Sequence, residues 1–311
     1  MLPKNHNKLL IISGPTATGK TDLAVDVAQK YNGELISGDS CQIYKGLDIG
    51  TGKDQPEETP IHLIDIITPD QKFSVAEFQQ LAIKKIKELQ SQGKLPILVG
   101  CSGFYIDAVI NPNYQTFSIK PHFFLRFILK RLSVNTLQKI YNFLDRESFE
   151  KLNNSDRNNH YRLTRRIEIN LFQKNKKKRV GGLDNNFDTL HFSLTAPLDF
   201  LYKRIDQRVK KRMDIGFLKE LKGLLKKYSW IDPGMQIAAY KCLQPYIQKT
   251  NKNTLKESLQ KWAYAEHSDA RRQSCWFNSK AKATFIDIRK KSFKKTVIKE
   301  INKWYTKKYE G

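Results

Sequence analysis

Residues 14–21 read Gly14-Pro15-Thr16-Ala17-Thr18-Gly19-Lys20-Thr21, a complete G-x-x-x-x-G-K-[ST] pattern, and the apolar run Leu9 to Ile12 leads straight into it. Glycines let successive backbone N–H groups turn inward around phosphate oxygens, while the lysine supplies a point charge and the last hydroxyl can ligate Mg²⁺. The run ahead of the loop is strand-like. Behind it, Leu23 and Val27, and Ala24 and Ala28, recur at spacing four, as on an amphipathic helix. Strand, loop and a helix whose N-terminus favours anions make one unit, and that unit commits the chain to gripping a phosphate chain.

The rest of the first 110 residues continues the alternation of short apolar runs with helical patterns that marks βαβ units and a parallel sheet. Residues 34–37, 62–66 and 96–100 are predicted strands. Between the last two, Val75, Phe78, Ala82 and Leu89 recur near helical spacing, and Ser74 with Glu77 forms a capping box at the helix start. From about residue 111 aromatic and basic residues dominate, and 121–132 and 135–152 read as amphipathic helices. A polar, glycine-containing stretch at 174–186 closes this segment, residues 190–194 resemble a returning strand, and everything from Pro197 onward is helical in pattern and basic. The predicted fold class is therefore α/β, a parallel sheet flanked by helices of the kind built around a phosphate loop (P-loop NTPase-like), with an α-helical insertion. Its catalytic core is read as 1–110 and 187–311, and the insertion as 111–186.

The chain has 311 residues and a net charge of +24, more positive field than a free nucleotide requires, and so points to a polyanionic partner. Cys41, Cys101, Cys242 and Cys275 stand far apart without a C-x-x-C pair, which argues against zinc and against a disulfide framework. No apolar stretch approaches the roughly 18 residues needed to span a bilayer, and the N-terminal apolar core is too short for a signal peptide; a cytoplasmic protein without a membrane association is expected.

In open parallel sheets ligands bind beyond the carboxyl ends of the strands. That rule brings together the phosphate loop, residues 37–42 after the second strand, and Cys101-Ser102-Gly103 after the strand at 96–100. Asp39 then has three readings: Mg²⁺ ligand, general base, or cap of the following turn. His62 and Asp65 read better as hydrogen-bonded strand residues than as a second metal site. Arg204, Arg208 and Arg212 are spaced by four, so three guanidiniums share a helix face that either clamps a phosphate or is solvated.

Taken together these residues resemble the tRNA dimethylallyltransferase family. The resemblance rests on GPTATGKT at 14–21, GDSCQIYKGLDIGTGK at 38–53, HLIDI at 62–66, FSVAEFQQLA at 73–82, LVGCSGFYIDAV at 98–109, YRLTRRIEI at 161–169, RIDQRVKKRMDIGFLKEL at 204–221 and ARRQSCWF at 270–277. The segment at 38–53 is the most specific, because kinases with the same loop do not follow their second strand with it. The resemblance implies prenyl transfer to the exocyclic N6 of the adenine 3′ of the anticodon. The loop, Gly14, Pro15, Thr16, Ala17, Thr18, Gly19, Lys20 and Thr21, would hold the pyrophosphate of dimethylallyl diphosphate, with Mg²⁺ on Thr21. By the family pattern Asp39 becomes the general base, Ser102 stands near the amine and Arg208 grips the diphosphate. Asp39, Ser40, Cys41, Gln42 and Ser102, with Arg126, Tyr161, Arg162, Leu163, Thr164 and Arg165 from the insertion, match tRNA contacts. A monomer suffices for this geometry.

The basic residues of 157–166, 174–179 and 289–308, the last interleaved with Phe293, Trp304 and Tyr305, read as an RNA-facing surface. The sequence departs from the family where Cys101-Ser102 replace Gly-Thr, where Glu266-His267 stand in place of Thr-Arg, where Cys275 replaces threonine, and at Ala239-Tyr240-Lys241-Cys242, usually Gly-Tyr-Lys-Glu. Three rivals remain: a small-molecule kinase, a prenyltransferase of free adenosine nucleotides, and a non-catalytic RNA-binding protein.

Overall fold

The computed structural model describes residues 7–53, 56, 59–111, 116–117, 121–172, 179–180, 182–183, 187–249 and 251–306. The chain forms two units, Met1–Tyr114 with Gly181–Gly311, and Gln115–Val180 between them; the sequence set these boundaries at 110/111 and 186/187.

The first unit is built on six parallel strands: β1 (Lys8–Ser13), β2 (Gly33–Ser37), β3 (Ile61–His62), β4 (Leu95–Gly100), β5 (Asp188–Thr195) and β6 (Thr284–Asp287). Their order is β3-β2-β4-β1-β5-β6. Ser13 pairs with Gly100 of β4 and Ser193 of β5, so the loop that follows β1 emerges between two neighbours. Every residue of β1 and β4 is buried, as befits central strands covered on both faces. On one face Leu10, Ile12, Ile97 and Val99 pack against Leu23 and Val27 of α1 (Lys20–Tyr31). On the other, Leu9, Ile11 and Leu98 meet Phe78, Ala82 and Ile86 of α2 (Val75–Ser91) and Ile106 of α3 (Gly103–Ile110). The capping box at Ser74 and Glu77 forms as the sequence predicts.

Two predicted features are corrected. The 62–66 strand ends at His62, because Leu63 and Asp65 adopt left-handed φ angles of 62° and 55°. His62 pairs with Glu34, and Asp65 accepts from Lys53, so these two residues serve separate structural contacts. The C-terminal part also contains a strand, β6, which pairs with β5 from Phe192↔Thr284 to Thr195↔Asp287.

The second unit packs Leu129, Leu137, Tyr141, Leu163 and Ile167 into its own small core. These come mainly from α4 (Phe123–Leu129), α5 (Val134–Leu144) and α6 (His160–Phe172). The helix predicted over 135–152 is broken at Asp145, whose carboxylate accepts from Ser148 N–H at 3.0 Å and starts a new short helix.

Beyond β5 the first unit continues with α7 (Leu198–Asp214), the 29-residue α8 (Lys252–Lys280) and α9 (Phe293–Thr306). The α9 aromatics are not an RNA-facing set: Tyr305 is buried in the sheet core and Lys8 Nζ sits 4.5 Å over the Trp304 ring. Residues 174–178 and 307–308 of the basic segments lie outside the described residues. Among the described residues no helix is long and apolar enough to cross a membrane.

Candidate active site

The carboxyl edge of the sheet holds a cleft of about 200 Å³, lined among others by Thr16, Lys20, Thr21, Asp39, Cys101 and Arg208. Gly14 opens its floor at φ 135°, and a Cβ there would lie 2.3 Å from the Leu194 carbonyl oxygen of β5. Only glycine fits that approach. Within the loop, Lys20 Nζ donates to the Pro15 carbonyl at 2.8 Å, as does the Thr18 hydroxyl at 2.8 Å. Burial pulls the Lys20 ammonium below its ordinary pKa; Cys101 and Asp39 oppose this and Arg208 adds to it. An anion in the cleft would restore the charge this lysine finds costly to carry.

Asp39 follows β2 and faces the loop. Its Oδ1 accepts from the Cys41 N–H at 2.9 Å, and its Oδ2 accepts from the Cys101 thiol at 3.0 Å. Burial first, and the charge of Asp39 second, push the Cys101 thiol well above its usual range, so it stays protonated and donates. Gln42 lines the same cleft, accepting from Ser37 Oγ at 2.8 Å and donating to the Gly52 carbonyl at 3.2 Å. Ser102 does something other than point an isolated hydroxyl at a substrate: its Oγ accepts from Ser40 N–H at 3.0 Å and donates to Ser40 Oγ at 3.1 Å. It ties the loop after β4 to the loop after β2, and thereby fixes the turn that carries Asp39.

The arginines of α7 form the opposite wall. Arg204 and Arg208 line the cleft, and Arg208 Nη2 donates to Thr16 Oγ1 at 2.7 Å. Arg212 is only 5% exposed and donates to the Gly50 carbonyl at 3.2 Å. The solvated-face reading does not hold for Arg208 and Arg212, while Arg204 is exposed.

Four residues were not singled out individually for a role at this site. Gln273 of α8 accepts from the Thr16 N–H at 2.8 Å, across 257 residues of sequence. Trp276 lies on Gly103, where a Cβ would meet its ring at 2.1 Å. Glu220 accepts from the N–H groups of Asp48, Ile49 and Gly50 and from the Tyr240 hydroxyl, anchoring the segment at 38–53. Glu266 accepts from Arg208, Arg212 and Trp262. In the sequence Gln273 and Trp276 fall in the ARRQSCWF motif, Glu220 falls in the motif at 204–221 and Glu266 is marked as a departure, but none of these signals gives the contact itself.

The insertion is described by itself. Tyr161 is 69% exposed, and Arg162 is exposed while paired with Asp156. Arg126 and Arg165 both bind the carboxylate of Glu168, whose side chain is fully buried. Burial opposes that charge, but hydrogen bonds from Arg126, the His122 N–H and Arg165 outweigh it and hold the carboxyl at about 2. Leu163 and Thr164 of the same segment are buried, and Leu163 packs α6 into the core of its unit.

The fold and the cleft thus define an α/β protein of the phosphate-loop class, with a carboxylate facing the loop. A profile of IPP transferases matches residues 42–280. The chain is 36% identical to a tRNA dimethylallyltransferase of Carboxydothermus hydrogenoformans, over 94% of this chain and 96% of that one, and 35% identical to the Staphylococcus saprophyticus protein of the same name, over 91% and 92%. A crystal structure of a tRNA isopentenylpyrophosphate transferase from Bacillus halodurans superposes with a TM-score of 0.70 at 32% identity, covering 96% and 97% of the two chains. A eukaryotic dimethylallyltransferase acting on tRNA shares the fold, with a TM-score of 0.77 at 23% identity over 95% and 78%. The chain belongs to the IPP transferase family, and it is a transferase of the prenyl transferase class.

Proposed function

We propose that this protein transfers the dimethylallyl group of dimethylallyl diphosphate to N6 of the adenine 3′ of the anticodon in tRNA and releases pyrophosphate. The observation that carries this reading is the convergence of Asp39, the phosphate loop and Arg208 on one cleft. The adenine N6 attacks the allylic carbon, the C–O bond to the diphosphate breaks, and the N6 proton passes to Asp39. Negative charge grows on the departing pyrophosphate. Lys20, Arg208 and the loop N–H groups sit where that charge develops, and each preorganised donor of this kind is worth about 10² to 10³ in rate. A positioned general base adds on the order of 10² to 10⁴.

Mg²⁺ is retained in the reading because the donor set suits it: the Thr21 hydroxyl lies on the cleft wall with Asp22 and Asp39, and Mg²⁺ is commonly held by one or two protein oxygens plus substrate phosphates. Thr21 would hold the ion, which supplies further charge neutralisation to the diphosphate. The adenine must leave its stack to enter the cleft, which an unpaired anticodon loop makes cheap. Tyr161, Arg162 and the residues at 39–42 are the candidate tRNA contacts, and one copy of the chain carries every group named.

The test is incorporation of label from dimethylallyl diphosphate, with Mg²⁺, into unmodified tRNA or into AMP. Label in tRNA alone is expected; label in AMP but not in tRNA overturns the reading.

A further inference from the structure

Behind the cleft-lining Arg208 lies a charge of the wrong sign for a diphosphate site. Glu266 of α8 is 8% exposed. Its Oε1 accepts from Trp262 Nε1 at 2.7 Å and from Arg212 Nη1 at 2.8 Å, and its Oε2 accepts from Arg208 Nη2. That same Nη2 donates to Thr16 Oγ1 of the phosphate loop at 2.7 Å. One nitrogen of the diphosphate-gripping guanidinium is therefore divided between the loop and an internal carboxylate. Arg208 Nε is buried and has no hydrogen-bond partner among the described residues, and the residue lines the cleft. Burial opposes ionisation of Glu266, but Arg208 and Arg212 outweigh it and hold the carboxyl below its ordinary range. The carboxylate is ionised at neutral pH and permanently opposes two of the arginine charges. Asp39, one of the two carboxylates that line the cleft, is held instead by Cys41 and Cys101.

A site that stabilises a leaving pyrophosphate faces a second demand. The donors that lower the barrier also hold the product, and holding it equally well before and after the reaction does not raise turnover. We infer that Glu266 is a positioning residue that acts as a counterweight: itself held by Arg212, it shares Arg208 with the diphosphate and limits the affinity for the pyrophosphate product. The inference rests on reading the cleft as a diphosphate site. It involves no covalent step. It predicts that the negative charge at residue 266, rather than its shape, sets how fast product leaves.

The experiment is calorimetric titration of the full chain with inorganic pyrophosphate and Mg²⁺, alongside steady-state inhibition by added pyrophosphate. Glu266→Gln is expected to bind pyrophosphate about tenfold tighter, the scale of removing one like charge at close range in a partly buried site. Its kcat falls as KM for dimethylallyl diphosphate falls. Glu266→Asp, which keeps the charge, returns the affinity toward the parent value. In an Arg208→Gln background the same Glu266→Gln change has a smaller effect on affinity, because part of the carboxylate's influence runs through that guanidinium. Glu266→Thr removes the same charge in a smaller side chain and serves where the glutamine variant does not fold. Unchanged or weaker pyrophosphate binding in the charge-removed variants overturns the inference and leaves the diphosphate site standing. Failure of the parent chain to bind pyrophosphate overturns the diphosphate reading itself.

Discussion

The core and the insertion use the same sequence device, guanidiniums three or four residues apart on a helix, and put it to different ends. Along α7 the side chains pass from exposed Arg204 through half-buried Arg208 to buried Arg212, and Arg204 and Arg208 line the cleft. In the insertion, Arg126 and Arg165 converge on the fully buried Glu168, while Arg162 and Arg166 share Asp156 at the surface. The counter-carboxylate decides the outcome. Glu266 engages Arg208 through one nitrogen, and the Arg208 Nε has no partner among the described residues, whereas Glu168 takes Arg126 with both of its oxygens. In the first case two arginines of one helix line a cleft; in the second, arginines of two helices brace a buried carboxylate.

The sharpest way to break this contrast is to remove charge from each side separately. Lys20→Met should lower single-turnover transfer by about 10² to 10³, since it deletes a donor aimed at the leaving group, and should leave tRNA affinity unchanged by filter binding. Loss of tRNA affinity instead would mean that the loop also supports the RNA surface.

The next largest effect concerns the frame that carries the loop. His191 of β5 lies against Ser13 at 2.8 Å, immediately before Gly14. Burial lowers its pKa from 6.5 to about 4, and a backbone contact at Lys282 only partly opposes this. The folded state therefore binds this proton more weakly than the unfolded chain. Stability is constant above pH 6.5 and falls as pH drops from 6.5 toward about 4, by roughly 3 kcal/mol from this one group. Chemical denaturation across that range should show a slope that flattens in His191→Gln; an equal slope in both proteins would remove His191 from the account.

A smaller effect is expected in the insertion. Glu168→Gln leaves two guanidiniums without their carboxylate, but both arginines are about one-quarter exposed and can turn to water. The cost should be about 1–3 kcal/mol, read as hydrogen-exchange protection lost in α6 with pyrophosphate affinity of the core unaltered. Loss of pyrophosphate affinity would show that the brace also serves the cleft.

What the sequence made legible follows from how local each signal is. The phosphate loop, β1, β2, β4, α1 and α2 announce themselves through period and capping, and the rule of strand ends placed Asp39 and Ser102 beside the loop. The contributions of α8 were not legible as geometry, because Gln273 meets Thr16 across 257 residues and Glu266 meets Arg208 across 58, contacts that exist only once the chain has folded. β6 escaped because its residues 284 and 285 are exposed and only Ile286 is buried, leaving no alternation to read. The false continuation of β3 came from the apolar letters of HLIDI, which cannot reveal left-handed φ angles at Leu63 and Asp65. The apolar spacing of Leu163 and Ile167 was present in the sequence and marks the buried face of α6, which is why the family motif there mixes packing residues with exposed ones.

The most direct measurement of the central claim separates chemistry from binding at Asp39. Single-turnover transfer to tRNA and calorimetric pyrophosphate affinity are measured on the same preparation of Asp39→Ala. As general base, Asp39 predicts a transfer rate lowered by about 10² to 10⁴ with pyrophosphate affinity nearly unchanged. A fall in pyrophosphate affinity with the transfer step preserved would contradict it and make Asp39 a part of the diphosphate grip instead.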